Sequence, residues 1–429
     1  MPGICLLAIG AHPDDIEIGA AALISKAVSL GITTYFLILS DDGGERAARR
    51  AEAARAAAVL GVPAGRVLFA GLRDGRLRAD RGSVSRVREL ALAREVSPQL
   101  IVTHTTADSH NDHVEASRIA HAAFRECVFL QFSVHLSGER ETFAPRVFVE
   151  VSGGRLERKS RALAVHDSQR SRLERRDLAR YEQRLGLPAG MDRAEAFEVS
   201  VQDGAEDRFE QIISLSESPF HRFWGRILRA REATLFYEAY TVPGAPIDWP
   251  TSHANAGRDQ LRQAFRDQWL PRSPLRETPS SSPALQQILE CQSVILAGGA
   301  VSNLVTRDLY NRFRSTLWAV DYEMPRLEPA FLYNRSTGQR YYPEYDQRRN
   351  VARDYGVIAR VASPYAQGEH VVCAAGATGL GTRVALEFLS DPGSRRGIAS
   401  KFETSGNVQL AFSVKASTGK IKILDVRDD

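Results

Sequence analysis

Directly after an opening apolar run the chain reads Ala11-His12-Pro13-Asp14-Asp15, and about a hundred positions later, just past another such run, it reads His110-Asn111-Asp112-His113. Together the two clusters supply two imidazoles and a carboxylate for a metal, with a further carboxylate and a further imidazole beside them. Zinc in a catalytic site takes three protein ligands and leaves a position open for water, and two histidines with one carboxylate are a recurrent set. Bound zinc brings the pKa of that water towards ~7, so hydroxide exists near neutrality. Asp14 and Asp15 are adjacent and their side chains diverge. One can ligate while the other faces the activated water as general base. His110 and His113 both come near such a site if a helix begins here, with Asp112 available to orient an imidazole. A protonated His110 would steady a developing oxyanion and protonate a leaving amine. Either cluster alone reads as a helix cap, because an aspartate before an apolar helix accepts backbone N–H bonds. Two clusters at corresponding strand ends carry the metal reading.

The elements that must position them alternate. Ile4 to Ile9, Thr33 to Leu39, Val67 to Leu72 and Leu100 to His104 read as strands, while Ile16 to Leu30, Arg46 to Leu60 and Val84 to Arg94 read as helices, the first two closed by Gly31 and Gly61. Such repeated units imply an α/β fold, a Rossmann-like parallel sheet with helices on both faces. In open sheets of this kind ligands bind beyond the carboxyl ends of the strands. His12 to Asp15, Asp41 to Glu45, Asp74 and His110 to His113 all follow strand ends, so four polar clusters converge on one rim. His104, His121 and His135 are assigned to structure.

AHPDD after the first strand, paired with H-x-D-H after the fourth, resembles the PIG-L/LmbE superfamily of zinc-dependent N-deacetylases, which act on N-acetylglucosamine-type sugars. The resemblance implies that His12, Asp15 and His113 ligate Zn2+, with Fe2+ able to fill the same set, that Asp14 is the general base, and that His110 is the electrostatic or acid partner. Arg49-x-x-Glu52, Asp74-Gly75, Lys159 with Ala162-Leu163, His166-x-Ser168-Gln169 and Ala194-Glu195-Ala196-Phe197 sit where bacterial members carry similar residues, so the similarity covers roughly residues 1–203. Arg49, Glu52 and Asp74 are the substrate-binding candidates. Asn111 stands where the family usually has proline, Ala21-Ala22 where it has Gly-Gly, and Ser40-Asp41-Asp42-Gly43-Gly44 brings extra negative charge to the rim.

A chain of 429 residues exceeds one ordinary core, and 56 basic against 52 acidic residues leave +4, which gives no electrostatic reason to expect a nucleic-acid or membrane partner. Cys5, Cys127, Cys291 and Cys373 lie far apart without a CxxC pair, as in a reducing compartment. No stretch approaches the ~20 apolar residues of a membrane span, and no basic leader precedes the first strand, so a cytoplasmic protein is expected. The arginine-rich run from Arg155 to Arg184 interleaves acids at helical spacing and reads as an exposed ion-paired helix. Residues 1–203 form the deacetylase-like domain, 204–284 a helical or irregular bridge ending in a Pro/Ser-rich linker, and 285–429 a second α/β domain. There, two strand-to-helix turns carry small residues, Gly298-Gly299 with Asn303, and Gly376, Gly379 and Gly381. Such turns let backbone amides approach a phosphate, so a nucleotide or phosphate ligand is expected at the second domain. Residues Gln409 to Val426 read as a hairpin. The function expected is hydrolysis of an N-acetylglucosamine-like sugar or nucleotide sugar by zinc-bound hydroxide, with regulation by the second domain. The alternative is a signalling or defence-type effector whose second domain senses a nucleotide.

Overall fold

Cys5–Gly10 (β1), Thr33–Ser40 (β2), Val67–Leu72 (β3), Leu100–His104 (β4) and Val128–Phe132 (β5) are short and apolar with little polar alternation, as strands covered on both faces must be. Between them run the helices Asp15–Ser29 (α1), Arg46–Val59 (α2), Arg81–Ala93 (α3) and Asn111–Ala123 (α4). The computed structural model of the chain describes residues 3–41, 46–134, 143–174, 177–202, 204–205, 208, 212, 214–228, 232–237, 251–268, 275–300, 303–312, 318–321, 330–391 and 407–428. The five strands pair in parallel in the order β3-β2-β1-β4-β5. Two antiparallel strands, Val147–Glu150 (β6) and Ala194–Val201 (β7), extend the sheet beyond β5 in the order β5-β7-β6. Leu7, Ile9, Ile101 and Phe129 share one core with Val87 and Ala91 of α3 and Ile119 and Ala120 of α4. On the other side α1 and α2 pack with Gly153–Ala164 (α5), so the sheet is flanked by helices. The chain moves outward from β1 through β2 to β3, then returns to the other side of β1 as β4. That reversal makes the carboxyl ends of β1 and β4 a topological switch point, where open α/β sheets form their ligand crevice.

The chain divides into two compact units, Met1–His221 and Arg222–Asp429. The first unit continues through Arg170–Glu174 (α6) and Leu178–Gly186 (α7), and the division falls within Pro219–Leu228 (α8). In the second unit Ala233–Tyr237 (β8), Leu275–Pro279 (β9), Val294–Ala297 (β10), Val351–Ala362 (β15), His370–Gly376 (β16), Val408–Lys415 (β17) and Lys420–Asp428 (β18) form a mixed sheet in the order β18-β17-β15-β16-β10-β8-β9. Glu344–Tyr345 (β14) pairs beside β15, and Trp318–Asp321 (β11), Phe331–Asn334 (β12) and Arg340–Tyr341 (β13) make a small antiparallel sheet. Its helices are Thr251–Gln268 (α9), Leu285–Cys291 (α10), Leu304–Arg312 (α11) and Gly379–Ser390 (α12). The expected hairpin is β17–β18.

The expected bridge and linker are corrected here. β8 and β9 pair in parallel inside the second sheet, so the second unit begins well before residue 285. The Pro/Ser-rich stretch misleads because β9 is an edge strand, where one buried apolar residue, Leu275, suffices and a terminal proline is tolerated. Residues 271–274 lie outside the described residues. Among the described residues no helix is long and apolar enough to cross a membrane.

The arginine-rich run is not wholly exposed. Lys159 on α5 is fully buried, with Nζ 2.7 Å from Glu195 Oε1 on β7 and 2.9 Å from Glu182 Oε1 on α7. The same ammonium donates to the Ile18 carbonyl at 2.8 Å, while the amides of Ala22 and Leu23 donate to the two oxygens of Glu195 at 2.9 Å each. In an uninterrupted helix the Ala22 amide would take the Ile18 carbonyl. A side-chain ion pair is thus inserted into the ladder of α1, one turn beyond Asp15. Burial would strip the proton from Lys159, but Glu195 and Glu182 outweigh it and raise its pKa. Lys159→Met leaves two buried carboxylates without their shared cation and is expected to cost about 3–5 kcal/mol. A denaturant titration of the first unit's unfolding checks it, and an unmoved midpoint would show the pair to be without net value.

Candidate metal centre and active site

Asp14 occupies the N-cap position of α1, yet its side chain makes no capping bond. The chain turns tightly, with the Asp14 amide donating to the His12 carbonyl at 3.0 Å. Asp15 reaches back and accepts from the His12 amide at 2.8 Å. Its Oδ2 lies 3.2 Å from both His12 Nδ1 and His104 Nε2, and its Oδ1 lies 3.5 Å from His113 Nε2. The donor atoms of His12, Asp15 and His113, all three residues buried, fall within 4.8 Å of one another. With bonds of about 2.0–2.1 Å, neighbouring donors on tetrahedral zinc stand roughly 3.3 Å apart. The 3.2 and 3.5 Å separations from Asp15 therefore suit such an ion, and the same nitrogen and oxygen donors suit iron(II).

Each candidate ligand histidine has a carboxylate behind it. Asp108, fully buried after β4, places Oδ1 3.2 Å from His113 Nδ1 and is itself held by the amides of His110 at 2.9 Å and Val134 at 3.1 Å. Asp112 Oδ2 lies 3.4 Å from His12 Nε2, and the Asp112 carboxylate accepts from the Gly75 and Leu77 amides at 2.7 and 3.2 Å. The imidazole that Asp112 orients is thus His12. Such partners fix tautomer and ring direction. Asp74, at the open edge, has Oδ1 3.2 Å from His12 Nε2 and Oδ2 3.7 Å from Arg49 Nη1.

Charge is concentrated here. Burial opposes ionisation of Asp15, but His113, His104 and His12 outweigh it and hold its carboxyl well below the usual range. Burial likewise disfavours charged histidines, yet Asp15 and Asp74 raise His12 to about 10, and Asp15 and Asp108 raise His113 to about 9. His104 goes the other way, pushed down to about 4 by burial and by His113. Asp14 is raised by burial and then by Asp15, against the pull of His166, Arg172 and Arg49. His110 caps α4, with Nδ1 accepting from the Asp112 amide at 3.2 Å, which leaves Nε2 to carry the ring proton. Burial, then His113 and His12, lower its pKa. This lowering works against the imidazolium expected at His110.

Two residues beyond the expected set belong to the site. His104, expected to be structural, stacks on His113 with centroids 4.1 Å apart and an interplanar angle of 13°. Asp108 orients His113. Both lie at the end of β4 or just past it, within reach of the strand-end rule that singles out the two clusters. Glu52 is corrected in the opposite sense: its two oxygens accept from the Ser168 amide at 2.9 Å and the Ser168 hydroxyl at 2.6 Å, so it braces α2 and is not free for a substrate. Asp41 is buried against Arg50 and Arg46 and adds no free charge to the rim, while Asp42–Glu45 and His135 lie outside the described residues. His121 stacks on Phe129 as a structural residue.

In the second unit the glycine turns are already engaged. Asp354 on β15 sends Oδ2 to the Thr378 amide at 3.1 Å, the Thr378 hydroxyl at 2.6 Å and the Gly381 amide at 2.6 Å. A carboxylate of the chain itself thus sits at the start of α12, just after Gly379 opens it. A Cβ on Gly381 would meet Asp354 Oδ2 at 2.8 Å, and one on Gly376 would meet the Thr382 amide nitrogen at 2.2 Å, so close packing demands these glycines. At the other turn Asn303 donates to the Phe236 and Ala297 carbonyls at 3.1 Å and accepts from Val305 and Thr306. Gly298 adopts φ +103°, and a Cβ on Gly299 would meet Val320 at 2.8 Å.

The sequence model of the PIG-L family, described as GlcNAc-PI de-N-acetylase, matches residues 7–124, the span from β1 to the end of α4 that carries every candidate ligand. Residues 7–124 are thus similar to a PIG-L domain. That similarity to a de-N-acetylase family supports hydrolytic deacetylase activity for these residues. Solved structures similar to the chain include the conserved protein TT1542 from Thermus thermophilus, 25% identical, covering 45% of this chain and 92% of that one, TM-score 0.37. N,N'-diacetylchitobiose deacetylase from Pyrococcus horikoshii is 19% identical, covering 46% and 84%, TM-score 0.39. The 4-carboxy-2-hydroxymuconate hydratase GalB from Pseudomonas putida KT2440 is 20% identical, covering 46% and 95%, TM-score 0.38.

Raised values of about 10 and about 9 favour the protonated rings of His12 and His113 at neutral pH in the metal-free first unit. Their contribution to metal-free stability is fully present below the ordinary histidine pKa of about 6.5 and is lost as pH rises through those values. Metal must displace both protons. Zinc affinity is therefore expected to climb steeply with pH, towards roughly 100-fold per unit for two protons, with proton release read by calorimetry in buffers of different ionisation enthalpy. Asp108→Asn is expected to weaken zinc binding by about 10–100-fold.

Proposed function

We propose that the first unit is a metal-dependent amidohydrolase that removes the acetyl group from an N-acetylglucosamine-like sugar or nucleotide sugar, with zinc, or iron(II) in its stead, held by His12, Asp15 and His113. One observation carries the reading. The buried Asp15 carboxylate is shared between His12 and His113 at zinc-like separations, and its neighbour Asp14 makes no capping bond and has a raised pKa. When bound, the ion supplies Lewis acidity towards an acyl oxygen and makes water a stronger acid.

The chain's own groups supply the rest. Asp14, whose affinity for a proton is raised by burial, takes the proton of the attacking water as general base and returns it to the amide nitrogen as the C–N bond breaks, so that the sugar leaves as the amine and the acyl group as acetate. His110, whose Nδ1 accepts from the Asp112 amide and whose Nε2 carries the proton, donates a hydrogen bond to the acyl oxygen as negative charge develops, and a positioned donor of this kind is among the larger catalytic contributions. Asp108 and Asp112 hold the two ligand rings in their tautomers. Arg49 and Asp74, paired at the open edge beside His12, are placed to hold sugar hydroxyls.

Acetate release from N-acetylglucosamine, its 1-phosphate and its uridine diphosphate ester, measured with zinc and with chelator, tests the proposal. Asp14→Asn is expected to retain zinc and to lower kcat by about 10²–10⁴. Turnover that survives both chelation and Asp14→Asn would overturn the mechanism.

A further inference from the structure

Granted the deacetylase reading, on which this rests, we propose that the concavity beside the candidate metal centre is an anion subsite, in which Arg73, Arg76 and Arg78 hold a phosphate or carboxylate carried by the N-acetyl sugar. The three arginines line one open concavity together with Gly75, Ser83 and Asn111. Gly75 of its lining donates its amide to Asp112, the carboxylate 3.4 Å from His12, so the concavity lies one residue away from the metal site.

The loop that presents the arginines is fixed to that site. Asp112, the carboxylate behind His12, accepts from the Gly75 amide at 2.7 Å and the Leu77 amide at 3.2 Å. Glu115, one turn further along α4, accepts from the Ala79 amide at 2.7 Å. The Leu77 side chain is buried in the core between Arg76 and Arg78, which are exposed. The backbone is thus tied at three points to the helix that carries His113, while the guanidinium groups on either side of Leu77 are left outside.

Among the described residues no ion pair engages Arg73, Arg76 or Arg78. The nearby acids are committed elsewhere: Asp80 feels Arg78 but gives its carboxylate to the Ser83 amide at 2.8 Å, and Asp74 faces His12 and Arg49. A neutral sugar would gain little from three arginines along one concavity. Phosphate and carboxylate match their planar fork bidentately, and a basic wall also raises the local concentration of an anionic substrate. A sugar seated on Arg49 and Asp74 would bring such a substituent onto the loop that continues directly from Asp74.

The test uses the zinc-loaded full chain and compares kcat/KM for neutral N-acetylglucosamine with that for its 1-phosphate, for UDP-N-acetylglucosamine and for N-acetylmuramic acid. Calorimetric binding of the 1-phosphate and of the neutral sugar runs in parallel. An anionic sugar is expected to be preferred by about tenfold or more at low salt, and the preference is expected to shrink as salt rises. It should collapse in the triple variant Arg73→Ala, Arg76→Ala, Arg78→Ala, whose exposed side chains leave folding intact. The arm that shows the preference separates phosphate from carboxylate. Equal treatment of neutral and anionic sugars, or a preference unchanged in the triple variant, overturns the subsite. If no sugar releases acetate, the deacetylase reading falls, and the binding ratio still decides the subsite.

Discussion

A single buried carboxylate, that of Asp15, organises the first unit. Three imidazoles from two distant segments lie within 3.5 Å of its two oxygens, and His12 and His113, both raised in pKa, would be costly to bury without it. The requirement fixes much else. α1 must start immediately after β1, β4 must lie beside β1, and α4 must begin within a few residues of β4, or the rings cannot reach one carboxylate. The strand order reverses between β1 and β4 for the same reason that the chemistry sits there: only at that reversal do two successive βα turns open away from each other and leave room between them.

Much of this was legible in the sequence because the signals are local and redundant. Apolar runs of strand length alternate with amphipathic helices, and the polar clusters fall just past the runs. His104 and Asp108 were harder to read. A histidine as the last residue of an apolar strand looks like a satisfied core residue, and only the parallel pairing of β4 with β1 brings it under Asp15. Glu52 misleads in the reverse way. Its spacing from Arg49 suggests a common face, but Ser168, more than a hundred positions away, claims both its oxygens, and no local pattern reports such a partner.

The second unit shows how a composition signal can have another cause. Small residues between strand and helix let a backbone come close to something, and the sequence does not say to what. Here the neighbour is Asp354 from the adjacent antiparallel strand, whose negative charge at the start of α12 complements the helix dipole as an anionic ligand would. The edge strand β9 makes a similar point. It is held by backbone pairing along one side only and needs little hydrophobic sequence to be there.

The ion pair set into the ladder of α1 reaches past the site itself. Lys159, Glu182 and Glu195 all lie beyond residue 124, yet they complete the helix that begins with Asp15. A piece of chain ending with α4 would keep every candidate metal ligand and still expose the amides of Ala22 and Leu23 and the carbonyl of Ile18. The stretch from α5 through β7 therefore belongs to any portion that is passed on or joined to new neighbours intact. When such a unit is fused to different companions, the seam has to fall beyond Glu217, which pairs with Lys26 of α1, however little of the intervening sequence takes part in the chemistry.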